Sequence, residues 1–212
     1  MNPSPRLRGL SPIWGPGTRL LVLGSFPSVA SLQAGQYYAH PRNHFWTILG
    51  TLWDLPLVQW PYERRVNALL AHGLGLWDVY AECEREGSLD SAIRAPRLND
   101  LSRLRQYCPA LQAVAHNGGE SWRCARYTRT LGVAVQRLPS SSPANASWSL
   151  PRKIAAWAEV LSRHGVPVRW APSTPLCPAQ GLGHAPAHGA DGGGAAKPAD
   201  VGALCHTGAG QG

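Results

Sequence analysis

No apolar run in this 212-residue chain approaches the roughly 20 residues that span a bilayer. The opening stretch, MNPSPRLRGLSPIWGPGTRL, lacks the apolar core of a secretory leader, so no membrane partner and a cytoplasmic location are expected. No CxxC pair occurs. The five cysteines, Cys83, Cys108, Cys124, Cys177 and Cys205, are odd in number and widely spaced. That pattern argues against a disulfide framework, a tetrahedral zinc site or a cysteine-held iron–sulfur cluster. Neither GxGxxG nor GxxxxGK[ST] is present, which disfavours cofactor capture through those phosphate-binding loops. Lysine is nearly missing: Lys153 and Lys197 stand against 18 arginines.

What remains is a basic chain, with a formal charge of +8. Between Leu101 and Arg137 lie six arginines and a single acid, Glu120. Such a run suits a polyanion such as nucleic acid, and equally a solvated face. From about Ala171 the composition turns to Gly, Ala and Pro, too poor in large apolar groups to offset the entropy of ordering. Residues 171–212 are therefore expected to form a disordered tail. Residues 1–17, rich in Pro and Gly, read as an irregular arm, and 18–170 as one domain.

Within that domain, apolar runs alternate with helical spacing. Strands are expected at 19–25 (RLLVLGS), 75–81 (GLWDVYA), 111–117 (LQAVAHN) and 133–138 (VAVQRL). Helices are expected at 43–55, 62–73, 99–108, 118–132 and 149–165, with glycine stops at Gly73, Gly132 and Gly165. Alternation of this kind implies an α/β fold: a four-stranded parallel sheet with helices on both faces. Ligands then bind beyond the carboxyl ends of the strands. The segments there are GSFPSVASLQAGQYYAHPRNHFW, HNGG and LPSSSPANAS. The last offers hydroxyls, an amide and stiffening prolines, a set that suits phosphate oxygens or a plain Ser/Pro turn. HNGG opens a helix, where unpaired N–H groups favour anions.

GSFPS (24–28), GQYYAHPRNHFW (35–46), GLWDVY with CEREGSLDSAI (75–93), HNGG (116–119) and LPSSSPANAS (138–147) occur in order across residues 18–165. Together they resemble the hypoxanthine-DNA glycosylase branch of the uracil-DNA glycosylase superfamily. The resemblance implies a three-layer α/β/α sandwich and a monofunctional DNA repair enzyme. Such an enzyme hydrolyses the N-glycosidic bond of a flipped deaminated base, hypoxanthine foremost, without cofactor or metal. It also implies a monomer acting on DNA that contains deaminated bases, at the bacterial nucleoid.

By the same resemblance, Tyr38 stacks on the flipped base, with Ser25 and Phe26 bordering it. Asn43 holds a base edge or a water, and the same residue suits a helix cap. His40 is a proton donor or a structural histidine. Asn117, Gly118, Ser140, Ser141, Ser142 and Asn145 contact the DNA strand. Ala144 falls where relatives carry a larger apolar wedge. Related enzymes place Asn or Asp in the GxxP turn to orient water, whereas this turn carries Phe26. With Lys153 the only lysine in the domain, no Schiff-base (lyase) chemistry is expected. Two other readings stay open: a mismatch uracil or thymine glycosylase, and a non-catalytic lesion-binding protein.

Overall fold

A computed structural model describes residues 6–171, so the expected tail falls, apart from Ala171, outside the described residues. The elements are, in chain order, β1 (Arg6–Arg8), β2 (Leu20–Gly24), α1 (Val29–Ala34), α2 (Phe45–Trp53), α3 (Tyr62–Ala71), β3 (Leu74–Asp78), β4 (Tyr80–Glu84), β5 (Arg94–Leu98), α4 (Leu104–Tyr107), β6 (Ala113–Asn117), α5 (Gly119–Trp122), α6 (Ala125–Arg129), β7 (Ala134–Leu138) and α7 (Leu150–Arg163). Four strands form a parallel sheet in the order β3-β2-β6-β7. No helix among the described residues is long and apolar enough to cross a membrane.

The central strand explains the layering. All five residues of β2 are buried, as expected for a parallel strand covered on both faces. Its side chains alternate between two cores. Leu20 and Val22 pack with Phe45, Ile48, Leu49 and Leu52 of α2, Leu69 of α3, and Trp157 and Leu161 of α7. Leu21 and Leu23 pack with Leu104 of α4, Val114, Cys124 and Leu131. The result is a three-layer α/β/α sandwich. Cys83, Cys108 and Cys124 are buried and unpaired.

The structure departs from expectation in three places. The run 75–81 is not one strand. It leaves the parallel sheet at Val79, and β4 joins a second, antiparallel sheet in the order β1-β4-β5. The arm is accordingly not wholly irregular: β1 pairs with β4, and Ile13 bridges to Leu76. Glu82 on β4 collects Arg6, Arg8 and Arg97 at 3.1–3.8 Å. Two expected helices are also shorter. Only Leu104–Tyr107 of 99–108 is α-helical, because Asn99 donates to the Asp78 carbonyl and Asp100 accepts from the Ser102 N–H in a side-chain turn. The stretch 118–132 breaks at Arg123–Cys124 into α5 and α6.

That break serves a buried polar residue. His116 on β6 is fully buried, with Nδ1 2.8 Å from Ser121 Oγ and Nε2 2.9 Å from Thr128 Oγ1. Burial pushes its pKa down to about 4, with Arg129 adding and the Ser121 backbone opposing. The ring is therefore neutral at pH 7. Ser121 Oγ donates to the Leu23 carbonyl (2.7 Å) and Thr128 Oγ1 to the Ala125 carbonyl (3.0 Å), so each hydroxyl offers the neutral ring a lone pair. The unfolded ring binds a proton below about 6.5 that the folded ring refuses until about 4. His116 thus lowers stability as pH falls through that window, by at most about 3 kcal/mol. Denaturant melts at pH 4.5 and 7.5 should show a smaller pH dependence in His116→Gln than in wild type.

Candidate active site

All four parallel strands end at one cavity of about 870 Å³, lined by Gly24, Asp78, Asn117 and Leu138 at their carboxyl ends. The loops that follow them complete its wall, so the three segments picked out in the sequence do converge.

The first wall is the turn after β2. Gly24 is dictated by its neighbour: a Cβ at position 24 would collide with Asp78 Oδ1, its register partner on β3. Ser25 donates to Asp90 Oδ1 at 2.6 Å. Phe26 is buried in the second core yet borders the cavity, and Arg85 lies over its ring and donates to the Pro27 carbonyl. Ser28 then caps α1 by accepting from the Ser31 N–H, and Gly35 ends that helix in the left-handed region (φ 63°). This helix escaped the sequence reading; its signal was a serine cap and a glycine stop only seven residues apart.

The second wall is the aromatic run 37–46. Tyr38 adopts φ 54°, uncommon for a side-chain-bearing residue, and strain of this sort clusters at functional sites. Its ring stacks on Phe45 at 4.0 Å, so one face is already covered. Burial and the nearby Asp78 keep its hydroxyl, and that of Tyr37, neutral. Asn43 lines the cavity. Its Oδ1 caps α2 by accepting from the Phe45 N–H at 3.0 Å, while its Nδ2 makes no hydrogen bond among the described residues. Helix cap and ligand contact therefore coexist in one side chain. His40 is not among the residues that line the cavity, and its Nδ1 accepts from the Arg42 N–H at 3.2 Å inside its own turn, the placement of the structural alternative.

The third wall, residues 138–148, is tied to β6 by a reciprocal pair. Asn117 Oδ1 accepts from the Ser141 N–H (2.9 Å), and its Nδ2 donates to Ser141 Oγ (2.9 Å) and Tyr38 Oη (3.0 Å). The Ser141 carbonyl accepts from the His44 N–H at 3.0 Å. Asn117 and Ser141 thus tie the framework together: the Asn117 amide is committed inside, and Ser141 is fully buried with its hydroxyl accepting from that amide. Ser140 and Ser142 differ. Each hydroxyl accepts a local N–H, from Ser142 and Ala144 at 3.2 Å, and keeps its own hydrogen for a ligand. Asn145 Nδ2 donates to the Ser140 carbonyl at 3.1 Å, and Ala144 sits exposed at the rim. Lys153 does not line the cavity. It is buried beneath this loop, with Nζ donating to the Ser142 carbonyl at 3.3 Å.

The three charged lining residues were missed in the sequence reading: Asp78, Asp90 and Arg137. Asp78 lay inside a quoted motif but reads there as an ordinary strand residue. It is 4% exposed, and its Oδ2 has no hydrogen-bond partner among the described residues. Burial, helped by the charge of Asp90 and opposed by Arg85 and Tyr37, pushes its pKa up to about 7.

Gly118 locks the corner. Its φ of 103° and ψ of 177° belong to a region that is essentially glycine-only, and an added Cβ would sit 2.9 Å from Ser140 Cβ. Gly118→Ala is expected to cost about 1–3 kcal/mol and to displace the serine loop. Thermal melts should fall by several degrees, at about 2–4 °C per kcal/mol.

The family model of the uracil DNA glycosylase superfamily matches residues 12–161. A hypoxanthine DNA glycosylase from Methanosarcina barkeri is 36% identical over 156 residues, covering 74% of this chain and 98% of the relative. A hypoxanthine DNA glycosylase from Methanosarcina acetivorans is 36% identical over 157 residues, with the same coverage. A solution NMR structure of a candidate uracil DNA glycosylase from Methanosarcina acetivorans superposes with a TM-score of 0.69 at 34% identity, covering 75% of this chain and 98% of that one. On the fold, the cavity and these likenesses, the chain belongs to the uracil DNA glycosylase superfamily, in the branch of the hypoxanthine DNA glycosylases.

Proposed function

We propose that the cavity takes a hypoxanthine base turned out of DNA and that the chain releases it by hydrolysis of the N-glycosidic bond, leaving an abasic site. Family membership makes the chain a DNA glycosylase. Extrusion follows from the bond being unreachable inside the stack. The observation that carries the base assignment is Asn43: an amide that faces the cavity with Nδ2 uncommitted, in a chain 36% identical to two hypoxanthine DNA glycosylases. A donor at that place can stabilise charge building on the departing purine. Tyr38, with Ser25 and Phe26, gives the slot its flat and polar sides. Ser140, Ser142 and Asn145 hold the flanking phosphates, and Arg137, exposed at the cavity edge, adds charge there. The substrate is DNA carrying deaminated bases, met in the cytoplasm by a monomer.

Single-turnover release should be measured on duplexes carrying inosine, uracil, xanthine or thymine. Inosine is expected to be released fastest, and Asn43→Ala to slow it about 100-fold, the scale of losing one electrostatic donor. Uracil or thymine as the faster substrate would replace the base assignment, and binding without release from any duplex would leave a lesion-binding protein. An unchanged rate in Asn43→Ala would remove that residue from the site. Borohydride should trap no covalent protein–DNA adduct, since the only lysine of the domain is buried under the serine loop.

A further inference from the structure

Hydrolysis needs a water beside the sugar and an acceptor for its proton. The cavity offers few groups for this. Tyr37 and Tyr38 hold their protons, and Arg137 is a cation. Asn43 is an amide. That leaves two carboxylates. Asp90, on the exposed 3₁₀ turn Asp90–Ala92, already accepts the Ser25 hydroxyl at 2.6 Å. Asp78 is different. It lines the cavity at the carboxyl end of β3, 96% buried, and among the described residues its Oδ2 has no hydrogen-bond partner. The Tyr37 hydroxyl is a donor beside the carboxylate, whose lone-pair sites leave capacity for a further donor from the ligand side. Its neighbour Gly24 has no side chain to block it, and the next side chain in that turn to meet the cavity wall as a large group, Phe26, is apolar.

We propose that Asp78 is the catalytic base that orients the attacking water and takes its proton. The inference rests on the glycosylase reading above. The water oxygen bonds to C1′ of the deoxyribose, the C1′–N9 bond breaks, and its electron pair leaves with the purine. The water proton passes to the Asp78 carboxylate and is then released to the departing base anion, so the carboxylate is regenerated. In its ionised form the same carboxylate opposes the positive charge that develops on the sugar. The groups facing it are Asp90 from the 3₁₀ turn, Arg85 after β4, and Tyr37 and Tyr38 before α2. Of these, Asp90 and burial hold its proton on, which places its titration near neutral pH, where a base works best.

The test is the pH profile of single-turnover inosine release, with the intact chain. Wild type should show a rate that climbs with unit slope and levels near pH 7. Asp78→Asn should release base about 100-fold more slowly or worse, with that climb abolished, while still binding a duplex that carries a stable abasic analogue. Stability supplies an independent reading. Folded Asp78 keeps a proton between about 3.8 and 7 that the unfolded chain has shed, so its stabilising contribution is lost as pH rises through 7. Asp78→Asn should therefore gain in Tm relative to wild type at pH 8 compared with pH 5. Should that variant fold poorly, Asp90→Asn provides a second route: with one negative charge removed, the climb should move to lower pH. An Asp78→Asn profile that keeps its climb, or an Asp90→Asn profile that does not shift, overturns the assignment. So does loss of a falling limb, which would make Asp78 a proton donor. Absence of release by wild type from every duplex would overturn the glycosylase reading itself, and the base role with it.

Discussion

The site depends on one buried amide. Asn117 sits at the end of β6 and makes three hydrogen bonds that join the serine loop after β7 to the aromatic loop before α2. Neither loop has regular structure of its own at these points, so side-chain bonds carry most of what sets their separation. In a site shielded from water such a network is strong when complete, and leaving one partner orphaned costs about 1–3 kcal/mol. The His44 N–H to Ser141 carbonyl bond closes the triangle and fixes where α2 begins. Through it the position of Asn43, one residue earlier, follows from the same amide.

Much of this was legible in the sequence. Three of the four parallel strands, β2, β3 and β6, appear as short apolar runs because burial on both faces leaves no room for polar alternation, while the edge strand β7 is only partly buried. Their loops announce themselves by serine, proline and glycine. The parts that stayed hidden share a cause: each is decided by a side chain whose partner is far along the chain. Asn99 looks like a helix cap until Asp78 claims its amide. Residues 118–132 look like one helix until Ser121 and Thr128 are seen to meet the same imidazole. Asn117 has the chemistry of a phosphate ligand, and only its pairing with Ser141 and Tyr38 shows that its amide is spent inside. Asp78 reads as an ordinary strand carboxylate, and its burial and missing partner are visible only in three dimensions.

The second sheet adds a role for a segment outside the family match. β4 begins two residues after Asp78, and its far edge is covered by β1, which precedes residue 12. The chain thus turns at Val79 from the sheet that builds the cavity into a small sheet that anchors its outer lip, including Arg85 and Asp90. The cluster of Arg6, Arg8 and Arg97 around Glu82 lies on the surface and contributes little energy by itself. Its strands hold the turn that brings Asp90 to Ser25.

Gly24 and Asp78 share a single parcel of space, since no atom can be added to one without evicting the oxygen of the other. They are remote in the chain but adjacent in the sheet, so natural variation must treat them as a couplet. A descendant that acquires a methyl group at position 24 has to shorten or redirect the acid at 78 in the same step.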